Sequence, residues 1–189
     1  MNLKAKRHPH ILQRKQTALL VIDVQEKINA VMLDREFLLN NIVKLIRGCG
    51  VLGVPVFFTE QYPKGLGPTE QPVLEALGDR KPLQKMTFSC CGATEFLPLL
   101  KKKSIKQVML TGIEAHVCVQ QTALDLLAHG FQVHVIRDAV SSRRTTDAEA
   151  ALARLQSAGA IVNTSEAALF ELLERAGTPQ FKEISRLVK

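Results

Sequence analysis

Ala18-Leu-Leu-Val-Ile22 is an unbroken apolar run of strand length, and it stops on a carboxylate, Asp23, in Leu20-Val-Ile-Asp-Val-Gln25. A run with no polar alternation fits a strand covered on both faces, the environment of a parallel sheet. The segments that follow keep this pattern. Asp34 to Cys49 has apolar residues at 37, 38, 39, 42, 43, 45 and 46, a helical spacing closed by Gly50 and Gly53, and Val54-Pro-Val-Phe-Phe58 reads as a second buried strand. A short strand at Lys81 to Lys85, a helix over Ala93 to Lys103 and the strand Gln107-Val-Met-Leu-Thr111 come next. A helix from His116 to His129 ends at Gly130, before the strand Gln132-Val-His-Val-Ile136. The chain closes with a helix over Asp147 to Ala158, the strand Ala160-Ile-Val162, a helix over Ser165 to Arg175 capped by Thr164, and a short helix after Gly177-Thr-Pro179. The expected fold class is α/β, a three-layer α-β-α sandwich on a mostly parallel, roughly six-stranded sheet. Residues 60 to 72, with Pro63, Pro68, Pro72, Gly65 and Gly67, read as a surface loop over the sheet's edge.

The chain has 189 residues, one domain's worth, and its 46% hydrophobic and 23% charged content excludes disorder and fibrous repeats. Its formal net charge of +7 is unevenly placed. Lys4, Lys6, Arg7, Arg14 and Lys15 lie in the first 16 residues with no acid among them, so the body is nearly neutral. Global charge is therefore no argument for a nucleic-acid partner. Residues 1 to 15 are expected to form a basic, mobile tail and residues 16 to 189 one domain. No window approaches a membrane span or a signal-peptide core, which gives a cytoplasmic reading with no membrane partner. Cys49, Cys90, Cys91 and Cys118 are then free thiols rather than a disulfide framework.

In a doubly wound sheet the ligand crevice lies beyond the carboxyl ends of the strands. Asp23 ends the first strand, where it could act as a base, hold a cation or cap the following turn. Lys85, in Leu83-Gln-Lys-Met-Thr-Phe-Ser89, ends the third and taken alone reads as a solvated charge. Cys118 lies just after the fourth, in Thr111-Gly-Ile-Glu-Ala-His-Val-Cys-Val119. On the first turn of a helix, free N–H groups and the dipole would lower a thiol's pKa and cradle an oxyanion. The competing reading is a small buried hydrophobe that starts a core helix.

Taken in order and at these spacings, Asp23-Val-Gln25, Lys85-Met-Thr-Phe-Ser89 and Gly112 to Val119 resemble the isochorismatase-like superfamily of cysteine hydrolases, with its Rossmann-like topology. Thr59-Glu-Gln-Tyr-Pro63, Gly65-Leu-Gly-Pro68, Gly112-Ile-Glu-Ala115 and Pro179-Gln-Phe-Lys-Glu183 look like the branch called isochorismatase domain-containing proteins. The resemblance spans residues 16 to 189. It implies a triad in which Cys118 is the nucleophile, Asp23 takes its proton and Lys85 holds the two in register. It also implies an oxyanion hole from the backbone N–H groups of Glu114 and Cys118, and a cis peptide at Ile113-Glu114. The substrate it implies is a small amide-like compound hydrolysed through a thioester, with no cofactor, in a homo-oligomer.

Two departures narrow this. The metal-dependent nicotinamidases place an Asp and several His after the second strand, where this chain reads Thr59-Glu-Gln-Tyr-Pro63 and has no His between residues 11 and 115, so no metal is expected. True isochorismatases lack the nucleophilic Cys that is kept here. Gln25, Phe88, His116 and Arg143 are the candidate pocket residues, with Gln25 supporting Asp23 and Arg143 facing either an anionic substrate or solvent. Cys90 and Cys91 border the pocket wall and Cys49 reads as core. The alternative function is a catalytically silent binding or scaffold protein whose basic tail recruits an acidic partner.

Overall fold

The structure, a computed structural model, describes residues 7–189. The sheet contains β1 (Thr17–Ile22), β2 (Val56–Gln61), β3 (Leu83–Lys85), β4 (Gln107–Ile113), β5 (Gln132–Ser141) and β6 (Ile161–Asn163), all parallel in the order β3-β2-β1-β4-β5-β6. The helices are α1 (Glu26–Asn29), α2 (Arg35–Leu52), α3 (Pro63–Leu66), α4 (Gln71–Leu77), α5 (Phe96–Lys102), α6 (Gln120–Ala128), α7 (Thr145–Ser157), α8 (Ser165–Leu173) and α9 (Pro179–Leu187). The α/β three-layer expectation is met.

Period-two alternation along β1 divides it between two cores. Leu19 and Val21 join Leu38, Ile42, Leu45 and Leu169 on the α2 and α8 face, whereas Ala18, Leu20 and Ile22 join Phe96, Leu100, Ala123 and Leu126 on the α5 and α6 face. This two-sided burial is why the strand reads as an unbroken apolar run.

Gly112 lets β4 approach β1 closely. It pairs with Ile22 at φ +114, and a Cβ there would run into the Ile22 backbone, so glycine is needed for both conformation and space. Asp23 and the turn after Ile113 are thereby drawn together at the switch point, where β1 lies between β2 and β4.

Two expectations change. The segment at 60 to 72 is not a plain loop, since α3 and the start of α4 fall within it. Pro63 and Pro72 sit in the first turns of these helices, where a missing N–H costs nothing. Residues 7 to 15, expected as part of a mobile tail, pack against the domain. Leu12 is fully buried in the α2–α8 core, and its N–H donates to Glu171 Oε2 at 2.9 Å. Arg7 donates to Glu171 O at 3.0 Å and Arg14 to Leu172 O at 3.2 Å, which satisfies carbonyls at the C-terminal end of α8. Lys4 and Lys6 lie outside the described residues.

Candidate active site

Asp23 follows β1 at φ 52, a left-handed conformation that Asp tolerates better than most residues. The turn aims its carboxylate across the ends of β2 and β3. Thr59 Oγ1 donates to Asp23 Oδ1 at 2.7 Å, and Lys85 Nζ donates to Asp23 Oδ2 at 2.6 Å. Register explains the meeting, because Thr59 pairs with Ile22 on β1 and Gln61 with Lys85 on β3.

Lys85 is held on several sides. Besides Asp23 it donates to Gln61 Oε1 at 2.7 Å and to the carbonyls of Phe88 at 3.0 Å and Thr87 at 3.2 Å. A buried ammonium needs such acceptors, and here one carboxylate, one amide and the bend after β3 supply them. Lys85 is not the solvated charge that its position alone suggested.

Cys118 lies on a wide π-type turn, Ala115–Val119, ahead of α6 rather than on an ordinary first helical turn. The Glu114 carbonyl accepts the N–H groups of Val117 at 3.0 Å and Val119 at 3.2 Å and passes over that of Cys118, which an α-helix would have bonded to it. The Ile113-Glu114 peptide is cis.

The electrostatics correct one expectation. Burial pushes the Cys118 thiol well above its ordinary range, the Asp23 charge adds to this, Lys85 opposes it, and Asp23 as acceptor of the S–H raises it again. Burial and Asp23 therefore both work against the thiolate that a helix terminus alone would favour. Cys90 is fully buried behind Asp23, with its thiol pushed up to about 12, chiefly by burial. Burial likewise pushes Cys49 up to about 12 within the core.

The pocket candidates separate. Gln25 is buried, donates from Nε2 to Gln61 O at 3.1 Å and Gly67 O at 2.7 Å, and accepts the Gln61 N–H at 2.8 Å. Its side chain ties the 63–68 segment to β2 rather than supporting the Asp23 carboxylate. Phe88 exposes 54% of its surface at the rim while its carbonyl serves Lys85. His116 Nδ1 is 2.9 Å from Ser142 Oγ, so its ring faces the end of β5. Arg143 Nε donates to Glu114 Oε1 at 2.9 Å and is not a free surface cation. Sequence reading missed Thr59 and Gln61 as contact residues, and the available signal was their spacing of two at the end of β2, which puts both on one face.

A separate cleft lies away from this cluster. A cavity of about 400 Å³ at the opposite end of the sheet is lined by Gln13, Arg14, Lys15, Glu174, Arg175 and Thr178, and it holds no nucleophile.

A parallel doubly wound domain with Asp, Lys and Cys converging at its switch point is the class that fold and site define. The chain matches the isochorismatase domain over residues 17–167 and belongs to that family. Isochorismatase domain-containing protein 2 of Danio rerio is 42% identical over 177 residues, 94% of this chain and 89% of its own length. Among solved structures, one from Caenorhabditis elegans described as MAR1 ribonuclease is 40% identical with a TM-score of 0.89, covering 94% of this chain and 91% of that one. The YcaC gene product of Escherichia coli, described as an octameric hydrolase of unknown specificity, shares the fold at 23% identity and a TM-score of 0.84, covering 90% and 85% of the two chains.

Proposed function

We propose that this chain is a metal-independent cysteine hydrolase of small amide-like substrates, with Cys118 as nucleophile, Asp23 as base and Lys85 as the cation that orders them. The observation that carries the reading is Asp23, which accepts from buried Lys85 on one oxygen and lies where it can accept the Cys118 proton. Asp23 removes the S–H proton as the sulfur attacks the carbonyl carbon, and the carbonyl π pair moves to an oxygen facing the N–H groups of Glu114 and Cys118. The tetrahedral species expels the amine, which takes the proton from Asp23 and leaves a thioester. Asp23 then deprotonates a water that opens the thioester, and the acid departs as the sulfur regains its proton.

A carbonyl substrate fits a thiol nucleophile better than a phosphodiester does. Cleavage of RNA needs cationic contacts to phosphate, and Arg143 at the mouth has its Nε committed to Glu114. The scaffold alternative has less to recruit with, because two of its basic residues, Arg7 and Arg14, donate to carbonyls of α8. The octameric YcaC and the exposed rim residue Phe88 favour a homo-oligomer whose neighbouring subunit completes the pocket. No helix among the described residues is long and apolar enough to cross a membrane, in keeping with a cytoplasmic site of action.

The test is a panel of small amides and a single-stranded RNA assayed with the wild type and Cys118→Ser. Ammonia or amine release that vanishes in the variant supports the reading. RNA cleavage that persists in Cys118→Ser, with no amide turned over, overturns it.

A further inference from the structure

Thr59 has a hydroxyl whose proton direction is fixed by its surroundings. Its Oγ1 stands 2.7 Å from Asp23 Oδ1, and since a carboxylate can only accept, the hydroxyl proton points there. The same oxygen must then act as acceptor toward its other neighbours. It accepts the Asp23 backbone N–H at 3.3 Å and the Cys90 S–H at 3.8 Å. With both acceptor positions filled, the hydroxyl cannot turn around when Asp23 changes protonation.

We propose that Thr59 is a positioning residue for the Asp23 base, and that the buried thiol of Cys90 holds Thr59 in its donating orientation. The inference rests on the hydrolase reading above and goes beyond its triad, assigning work to a residue at the end of β2 and to a second, non-nucleophilic cysteine. A fixed donor on Oδ1 and Lys85 on Oδ2 lock the plane of the carboxylate, so the lone pair that meets the Cys118 proton keeps one direction. The titratable groups facing Asp23 are Lys85 from β3, Cys118 from the turn after β4 and Cys90 from the short turn Cys90–Gly92.

The experiment follows iodoacetamide alkylation of the Cys118 peptide by mass spectrometry from pH 4 to 10 in the full chain. Rates should rise along an acid limb set by Asp23. Thr59→Val should move the midpoint of that limb up by about one pH unit, the size expected for one lost hydrogen bond to a charged acceptor. Thr59→Ser, which keeps the hydroxyl, should restore the wild-type midpoint, and Cys90→Ala should move it part of the way. A uniform fall in rate with an unmoved midpoint in Thr59→Val overturns the proposal, because a merely structural residue would act that way. Asp23→Asn separates the two levels. If it abolishes the acid limb while Thr59→Val leaves the midpoint in place, only the role of Thr59 fails. If the limb survives in Asp23→Asn, the base assignment itself is wrong and the Thr59 proposal falls with it.

Discussion

Lys85 Nζ and Asp23 Oδ2 stand 2.6 Å apart, and neither side chain is more than 1% exposed. Breaking such a pair leaves a buried charge without its partner. Lys85→Met should therefore lower the unfolding free energy by about 3–5 kcal/mol, far more than the ~1 kcal/mol of an exposed pair. Urea denaturation should also find the double variant Lys85→Met/Asp23→Asn more stable than the single one, since it removes both charges together.

The Cys118 thiol is pushed up mainly by burial and then by Asp23. Asp23→Asn removes the second cause, so thiolate absorbance near 240 nm should appear at lower pH in the variant while turnover falls. An easier ionisation combined with lost activity would separate a base from a mere neighbour.

Gln25 binds the Gln61 backbone twice and Gly67 once, and so ties the 63–68 segment to the sheet. Losing three hydrogen bonds at roughly 1 kcal/mol each makes Gln25→Ala destabilising by about 2–3 kcal/mol. Trypsin should cut faster after the exposed Lys64 in α3, and gel densitometry over a digestion time course checks this.

His134 on β5 is buried, and among the described residues its Nδ1 has no hydrogen-bond partner. Burial, helped by the charge of His10, lowers its pKa from 6.5 to about 4. The folded state thus holds it neutral while the unfolded chain protonates it. Its contribution is intact above pH 6.5, is lost as pH falls toward 4, and amounts to about 3 kcal/mol once complete. Denaturation curves at pH 7 and pH 4.5 should show a smaller acid loss for His134→Leu than for the wild type.

Sequence brought out Asp23 because it ends an apolar run, and strand ends are where a parallel sheet does its chemistry, whereas Lys85 and Cys118 joined it as a candidate triad only through the family resemblance. It concealed the partners of that triad for a reason visible in β2. The run Val54-Pro-Val-Phe-Phe58 ends as the polar Thr59-Glu-Gln61 begins, which reads as the start of a loop, yet β2 extends over Val56–Gln61. Pairing with β1 and β3 buries Thr59, and the 63–70 segment covers the end of the strand. No local pattern encodes that cover, because it comes from residues that meet only in three dimensions. The reversed ionisation of Cys118 was hidden in the same way. A cysteine near a helix start suggests a depressed pKa, and only the packing brings in burial and the Asp23 charge, which push the other way.

Arg7 reaches Glu171 across 164 positions of sequence, and Leu12 reaches it across 159. During synthesis residues 7 to 15 emerge well before α8 and must wait for it before their contacts to Glu171 and Leu172 can form. Loop closure of that length is slow compared with the pairing of neighbouring strands and helices. The order of translation and the order of structure are therefore opposed at this point, and residues made early are secured against α8 late.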